Sequence, residues 1–328
     1  MAWTPVLPEA VPSTPAAADA LLMPITHLAV LEAGGADATA FLHTQLSNDV
    51  QGTPADRSLL AGYCNAKGRL FAVPRLWRMA DRWQLVLAAD TADAVLARLR
   101  MFVLRSRVAL RRREEVSLLG VAGPGAADCL REAELPVPGE VDAVAVRGET
   151  SILRLPAPTE RFMLCVPDGD APTLWAALVR RATPTPGAAW RLLDIDAGLP
   201  AIYPATLESF VPQMVNLERV SGVSFRKGCY PGQEIVARMH YLGKPSRRMY
   251  RLQAAGAAPT PGSAVLDAAG REVGTVVDAQ ATGDGLGCRL LAVLQVTAAE
   301  DGLRLPDGQP LERLPLPYAL DDAAEATS

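Results

Sequence analysis

The sequence predicts an α+β chain that closes with a small all-β barrel. Up to Ala182, strand-like runs alternate with amphipathic helical ones in an order close to a split β-α-β unit of the ferredoxin-like type. From Lys244 onward, short strand-like pieces alternate with Gly, Pro and Asp turns, and no helix interrupts them before the tail. The 328 residues suffice for two or three compact domains, and 49% hydrophobic with 21% charged residues is the composition of a soluble globular protein.

The elements follow in order. Residues 1–24, rich in Pro and Ala, read as a mobile lead-in. A strand is expected at 26–32, and Gly34-Gly35 then turns the chain into a helix at 37–47 with Phe41, Leu42 and Leu46 on one face. Residues 58–63, 69–78 and 83–88 read as an antiparallel meander with turns at 65–68 and 80–81. A helix is expected at 91–104, where Val95, Leu99, Phe102 and Val103 recur at helical spacing. Residues 116–122 read as a strand, and Gly123-Pro124-Gly125 opens a helix rather than a phosphate turn. Strands at 141–146, 151–155 and 162–166 precede a helix at 171–182. The barrel takes its strands from 249–254, 263–267, 272–278 and 287–297, and a disordered tail is expected at 319–328.

Composition narrows the setting. No apolar run approaches the ~20 residues that a spanning helix needs, so no membrane contact is expected. The first Lys or Arg is Arg57, which leaves no basic stretch for a secretory signal. Five cysteines (64, 129, 165, 229 and 288) are odd in number, scattered, and contain no CxxC. They argue against a disulfide framework and a self-contained metal site, and for a reducing, cytoplasmic setting with no stably bound metal.

The stretch that carries chemistry is Lys227-Gly228-Cys229-Tyr230-Pro231-Gly232-Gln233-Glu234. A cysteine following Arg226-Lys227 has its thiolate favoured over its thiol. Two glycines within five residues permit backbone angles that fold a polar loop closely around something. Between Arg219 and Arg251, eight Lys or Arg face the single acid Glu234, in a chain of net charge −4. Such a patch recruits an anion: a polycarboxylate, a phosphate or nucleic acid. The other four cysteines sit in apolar patterns and read as small buried hydrophobes.

Residues 210–217 (Phe-Val-Pro-Gln-Met-Val-Asn-Leu), Gly222-Val223-Ser224-Phe225 and 227–238 together resemble the signature of the YgfZ family, folate-binding relatives of the glycine-cleavage T-protein. The resemblance continues through Phe41 to Asp49, Cys64 to Arg69, and Trp190 to Pro200. It implies two interleaved α/β subdomains at 25–243 and a C-terminal antiparallel β-barrel at 244–318, around a hole that accepts tetrahydrofolate or a one-carbon derivative. It also implies a role in assembling or maintaining iron–sulfur enzymes, including ones that modify tRNA, with those enzymes or cluster-assembly proteins as partners. The family's reactive cysteine falls on Cys229, with Lys227 and Glu234 beside it. Trp190 matches a tryptophan placed against the pterin, and Asp196 the acid that holds the folate ring. Gln213, Asn216, Gln233, Arg238 and Arg248 complete the expected folate contacts.

The chain departs from the aminomethyltransferases where they carry an acidic pair; here it reads Phe71-Ala72-Val73-Pro74. Some relatives also carry a second tryptophan where this chain has Leu28. Three alternatives stand beside the accessory role. One is a folate-dependent aminomethyl transferase, the next a tRNA-binding module using 219–251, and the last a Cys-His hydrolase pairing Cys229 with His240.

Overall fold

Period-two burial marks the strand after the first turn: in Leu28–Gly34, Ala29, Leu31 and Ala33 enter one core while Val30 enters another. The structure, a computed structural model, describes Trp3, Pro5 and residues 19–243, 245–298 and 302–320. Its α/β part opens with β1 (Leu21–Pro24), β2 (Leu28–Gly34), α1 (Ala38–Gln45), β3 (Leu59–Leu60), β4 (Tyr63–Cys64) and β5 (Leu70–Ala72). β6 (Arg75–Met79), β7 (Arg82–Ala88), α2 (Ala89–Met101), β8 (Ala109–Arg113) and β9 (Val116–Ala122) follow. Then come α3 (Ala126–Glu132), β10 (Val144–Arg147), β11 (Thr150–Arg154), β12 (Arg161–Pro167), α4 (Ala171–Leu178), β13 (Thr183–Pro184) and α5 (Ala188–Asp196). A long irregular stretch and α6 (Gln233–Leu242) lead into β14 (Arg247–Ala254), β15 (Ala264–Leu266), β16 (Glu272–Ala281), β17 (Cys288–Gln295) and β18 (Glu312–Leu314).

One sheet runs β3-β6-β7-β2-β8 and a second β10-β11-β12-β9-β1-β13. The chain thus starts in the second sheet, builds the first, and returns, which interleaves the two α/β subdomains. Helices α1 and α2 cover the outer face of the first sheet, and α3 and α4 that of the second. The two inner faces meet through Leu21, Met23, Val30, Trp77, Val86, Met163 and Trp190. The third sheet, β15-β16-β17-β14-β18, is antiparallel. Bridges from Leu266 to Arg304 and from Arg304 to Pro310 carry its pairing from the β15 edge round to the segment entering β18. Leu60, Leu70 and Val73 join this sheet to the first through Phe210, Leu217, Met249 and Leu291.

Several elements differ from the sequence reading. Leu21–Pro24 is no lead-in: β1 is wholly buried between β9 and β13. Four residues carry too little periodicity to stand out, and the ladder comes from strands distant in sequence. Trp3 is anchored too, edge-on against Trp175 of α4 with its carbonyl accepting from Ser117 Oγ at 3.0 Å. β8 escaped notice because its Ala-Leu-Arg-Arg-Arg sequence is the charged kind that edge strands carry. α2 and α4 stop at Met101 and Leu178, short of the expected 104 and 182. Beyond Leu320 the expected tail lies outside the described residues.

α5 crosses the second sheet where β9 has Gly120. A Cβ there would lie 2.2 Å from Cε3 of Trp190, so the indole rests directly on the strand backbone. Overpacking costs about 1–3 kcal/mol, and neither a central strand nor a fully buried ring has room to yield. Gly120→Val is therefore expected to lower the unfolding free energy by about 3 kcal/mol in a denaturant titration; an unchanged midpoint would show that the ring moves aside.

Candidate functional site

Four of the motif segments assemble around the cysteine loop. Ser47 Oγ donates to the Gly222 carbonyl and accepts from the Gly62 N–H, both at 2.7 Å. Asn48 Nδ2 donates to the carbonyls of Leu60 and Ser221, each at 2.7 Å. The Asn65 side chain accepts from the N–H groups of Lys67 and Arg69, closing the β4–β5 turn. Gly232 packs on that turn with φ +81; a Cβ there would come 2.4 Å from the Gly68 Cα. Two motif glycines thus meet, and α6 starts at Gln233 directly after the contact.

Cys229 lies exposed on this loop, whereas Cys64, Cys129, Cys165 and Cys288 are all buried. Burial pushes the Cys64 and Cys165 thiols up to about 12 and Cys129 to about 11. Lys227, only 9% exposed, turns inward. Its Nζ donates to the carbonyls of His43 and Leu46 (2.8 Å to the latter), which terminate α1, and lies 4.7 Å above the Tyr230 ring. Burial holds its ammonium down to about 8, with Asp49 and Cys229 pulling the other way.

A cavity opens where the three sheets meet. Its apolar walls include Leu28, Val73, Val86, Leu155, Met163 and Trp190; His27, Arg75, Thr91, Arg191, Asp194, Tyr203 and Asp278 add polar groups. Asp194 pairs at 2.8 Å with Arg161, which is wholly buried and also donates twice to the Pro156 carbonyl. Asp278 comes from the third sheet, beside a bulge between Val276 and Asp278 of the kind that re-aims side chains. It accepts from Arg191 Nε at 2.7 Å and from Tyr203 OH at 2.9 Å. Burial raises the Asp278 and Tyr203 pKa values and lowers that of His27.

The expected site residues divide between these places. Trp190 is a cavity wall with no exposed face, its ring covered by Gly120 and by the Arg161 guanidinium 4.9 Å from its centroid. Asp196 does not line the cavity: it pairs with Arg251 and Arg289 of the third sheet. Gln213 Nε2 donates to the Val236 carbonyl and Asn216 Nδ2 to the Met249 carbonyl, each at 2.7 Å. Arg248 donates to the Gln213 carbonyl at 2.9 Å and pairs with Glu218. Gln233 Nε2 reaches the Lys227 carbonyl at 3.5 Å, while Glu234 and Arg238 are exposed. None of Cys229, Lys227, Gln213, Asn216, Gln233, Glu234, Arg238 or Arg248 lines the cavity.

Sequence reading missed Asp194, His27, Arg191, Tyr203 and Asp278. Asp194 was within reach. On a helix, Trp190 and Asp194 share a face at i,i+4, while Asp196 falls about 200° round from Asp194. The basic stretch is also thinner than a count of residues implies. Lys227, Arg219, Arg248 and Arg251 are engaged within the protein. Arg226 and Arg238 are exposed and make no ion pair among the described residues. Near them Phe225 stacks on His240 at 3.7 Å, with Tyr241 67% exposed at its edge.

No family model matches the chain. It is 32% identical over 326 residues to the tRNA-modifying protein YgfZ of Serratia proteamaculans (strain 568), covering 98% of this chain and 99% of that protein. The protein of the same name from Edwardsiella ictaluri (strain 93-146) is 34% identical over 322 residues, or 94% and 97% of the two chains. Among solved structures, the glycine cleavage system aminomethyltransferase T from Bartonella henselae matches with a TM-score of 0.72 at 21% identity, over 90% of this chain and 85% of that one. At that identity the likeness is one of fold. No helix among the described residues is long and apolar enough to cross a membrane.

One thiol, Cys229, should react with an alkylating reagent in the native protein, and all five after denaturation. Peptide mass spectrometry after brief iodoacetamide treatment would refute this by finding a second native site or none.

Proposed function

The chain belongs to the YgfZ family, and on that premise we propose that it binds tetrahydrofolate or a one-carbon derivative in the central cavity. In this reading it serves as an accessory to iron–sulfur enzymes, those that modify tRNA among them, with Cys229 as its reactive group. The observation that carries the reading is the cavity itself: apolar walls enclosing a carboxylate whose Oδ2 accepts no hydrogen bond among the described residues.

The residues present fit a pterin. Its flat faces suit Leu28, Val73, Leu155 and Met163, and its amide-amine edge suits Asp194, a charge-assisted acceptor. His27, kept neutral by burial, has a ring nitrogen to offer the same ligand. Bound tetrahydrofolate would supply a carrier for one-carbon units. Trp190 supports the site from behind rather than by open stacking. Aminomethyl transfer is less well supported, because Phe71 packs under the Arg98 guanidinium at 4.1 Å and Ala72 is buried where the transferases carry acids.

The tRNA side of the reading draws on the name that the relatives carry and on the rings of Phe225, His240 and Tyr241 near Arg226 and Arg238, a pairing suited to stacked bases and phosphates. Binding of tRNA should weaken steeply with salt and fall several-fold in Arg226→Glu/Arg238→Glu. A salt-independent or unchanged isotherm removes the nucleic acid from this surface.

Calorimetric titration of tetrahydrofolate tests the cavity. A hydrogen bond to a charged group contributes about 1.5–3 kcal/mol, so Asp194→Asn should weaken binding about ten-fold or more. His27→Ala should weaken it about five-fold. Asp196→Asn should change stability more than affinity. Wild-type affinity in both cavity variants would place the ligand elsewhere, and no binding by the native protein would end the folate reading.

A further inference from the structure

Helix α2 ends where, uniquely among the described residues, three large hydrophobic side chains stand exposed within four positions: Met101 is 69% exposed, Phe102 38% and Leu104 87%. Leu104 is also held at φ +44, in the left-handed region that favours glycine. The turn that holds it is well bonded. The N–H groups of Phe102, Ser106 and Val108 donate to the carbonyls of Leu99, Val103 and Ser106 at 2.8–3.0 Å. Val103, half-buried, packs on the core beneath α2 and pins the turn. An exposed leucine in a strained conformation adds nothing to that core, so neither packing nor backbone preference accounts for it.

The charge beside this patch is unbalanced. From Arg98 to Arg107 the chain has four arginines and no acid. Arg107 pairs with Asp37 and Arg100 donates to the Leu110 carbonyl, but Arg98 and Arg105 make no ion pair among the described residues. The Arg98 guanidinium lies 4.1 Å from the Phe71 ring centroid and 5.6 Å from that of Phe102. The rings take up its face, and what it still offers is the in-plane fork, which a carboxylate matches. Tyr63, within electrostatic reach of Arg98, is 1% exposed, and its hydroxyl has no hydrogen-bond partner among the described residues. Burial pushes that phenol up to about 12 against the pull of Arg98, so it remains a donor, and Arg98 has no lone pair to accept from it. Arg98 Nε is likewise buried without a partner. What the cluster lacks is an acceptor.

We propose that the end of α2 and the turn after it form a docking surface for a protein partner: a partner carboxylate pairs in plane with Arg98, and an apolar side chain next to it covers Met101 and Leu104. The unpaired guanidinium calls for the acid, and the aliphatic tips call for a protein. Met101 and Leu104 have no ring on which a base could stack, so phosphates at Arg98 and Arg105 would leave both tips in water. Arg105, exposed at the rim, steers an acidic partner without being buried by it. No residue from 98 to 107 lines the cavity, so this surface goes beyond the folate reading and is tested apart from it.

The probe is a fluorescein-labelled dodecapeptide alternating Leu and Glu, titrated against the full chain by fluorescence anisotropy beside its Leu–Gln counterpart. Removing the charge from the peptide, or from the protein by Arg98→Gln, should weaken binding at least about ten-fold, the loss expected of a charged hydrogen bond. Arg98→Lys keeps the cation without the fork and should lose about five-fold. Leu104→Gly separates docking from folding. It relieves the backbone at φ +44, so the unfolding midpoint should hold or rise while peptide binding weakens about five-fold. Equal affinity for the two peptides, or wild-type affinity in Leu104→Gly, overturns the proposal. So does a Leu–Glu peptide that fails to bind at millimolar concentration while tRNA, or vesicles of phosphatidylcholine and phosphatidylglycerol, lose affinity in Arg98→Gln and Leu104→Gly. The same variants should titrate with tetrahydrofolate as the wild type does, which keeps a failure here distinct from a failure of the cavity reading.

Discussion

Arg161 has no contact with water, and the centre of the molecule is organised around neutralising it. A buried guanidinium costs several kcal/mol unless its charge and its donors are matched. One carboxylate, Asp194, supplies the charge, and the Pro156 carbonyl takes two of the donors. Asp194 must therefore sit on the inner side of α5. Once that is fixed, helical geometry settles the rest of α5: Trp190 falls on Gly120 of β9, Arg191 reaches Asp278, and Asp196 turns away to Arg251 and Arg289. A nine-residue helix thus ties the second sheet to the third, and the cavity is the space left between them.

How far the sequence was legible depended on whether a residue's task is local. The loop around Cys229 announces itself because glycines, cations and a thiol at that spacing suit no core element, and Gly232 does shape the turn into α6. The interleaving of the sheets was expected only through family resemblance, because the placement of β1 depends on strands about 95 and 160 residues further along the chain. The acid of the cavity was misplaced by two residues because α5 had not been read as a helix, and on a helix two residues separate opposite faces. The basic stretch was read as free charge, since a sequence gives residue types and not their partners; Glu218 and Asp196 neutralise two of its arginines.

The structure also separates two places that the sequence reading had joined, the cavity and the cysteine loop. The sequence reading set Gln233 and Arg238 among the folate contacts, yet no residue from 226 to 238 lines the cavity. The cysteine loop is instead bound to the end of α1, to the β4–β5 turn and, through Gln213 and Arg248, to the start of the third sheet. The cavity carboxylate Asp194 and the exposed Cys229 therefore sit against different walls, with the apolar cluster of Leu60, Val73, Phe210 and Leu217 packed between the first sheet and the third.

Lys227 shows what that arrangement costs. Burial lowers its pKa from 10.5 to about 8, so the folded chain binds fewer protons than the unfolded one between those values. Stability from this group accordingly rises with pH across that window, and below pH 8 the charged lysine destabilises the fold by about 3 kcal/mol relative to a solvated one. A methionine of similar length would escape that cost but would leave the two carbonyls at the end of α1 without this donor. The ammonium caps both and lies over Tyr230. The destabilisation is therefore tied to holding the cysteine loop against the end of α1.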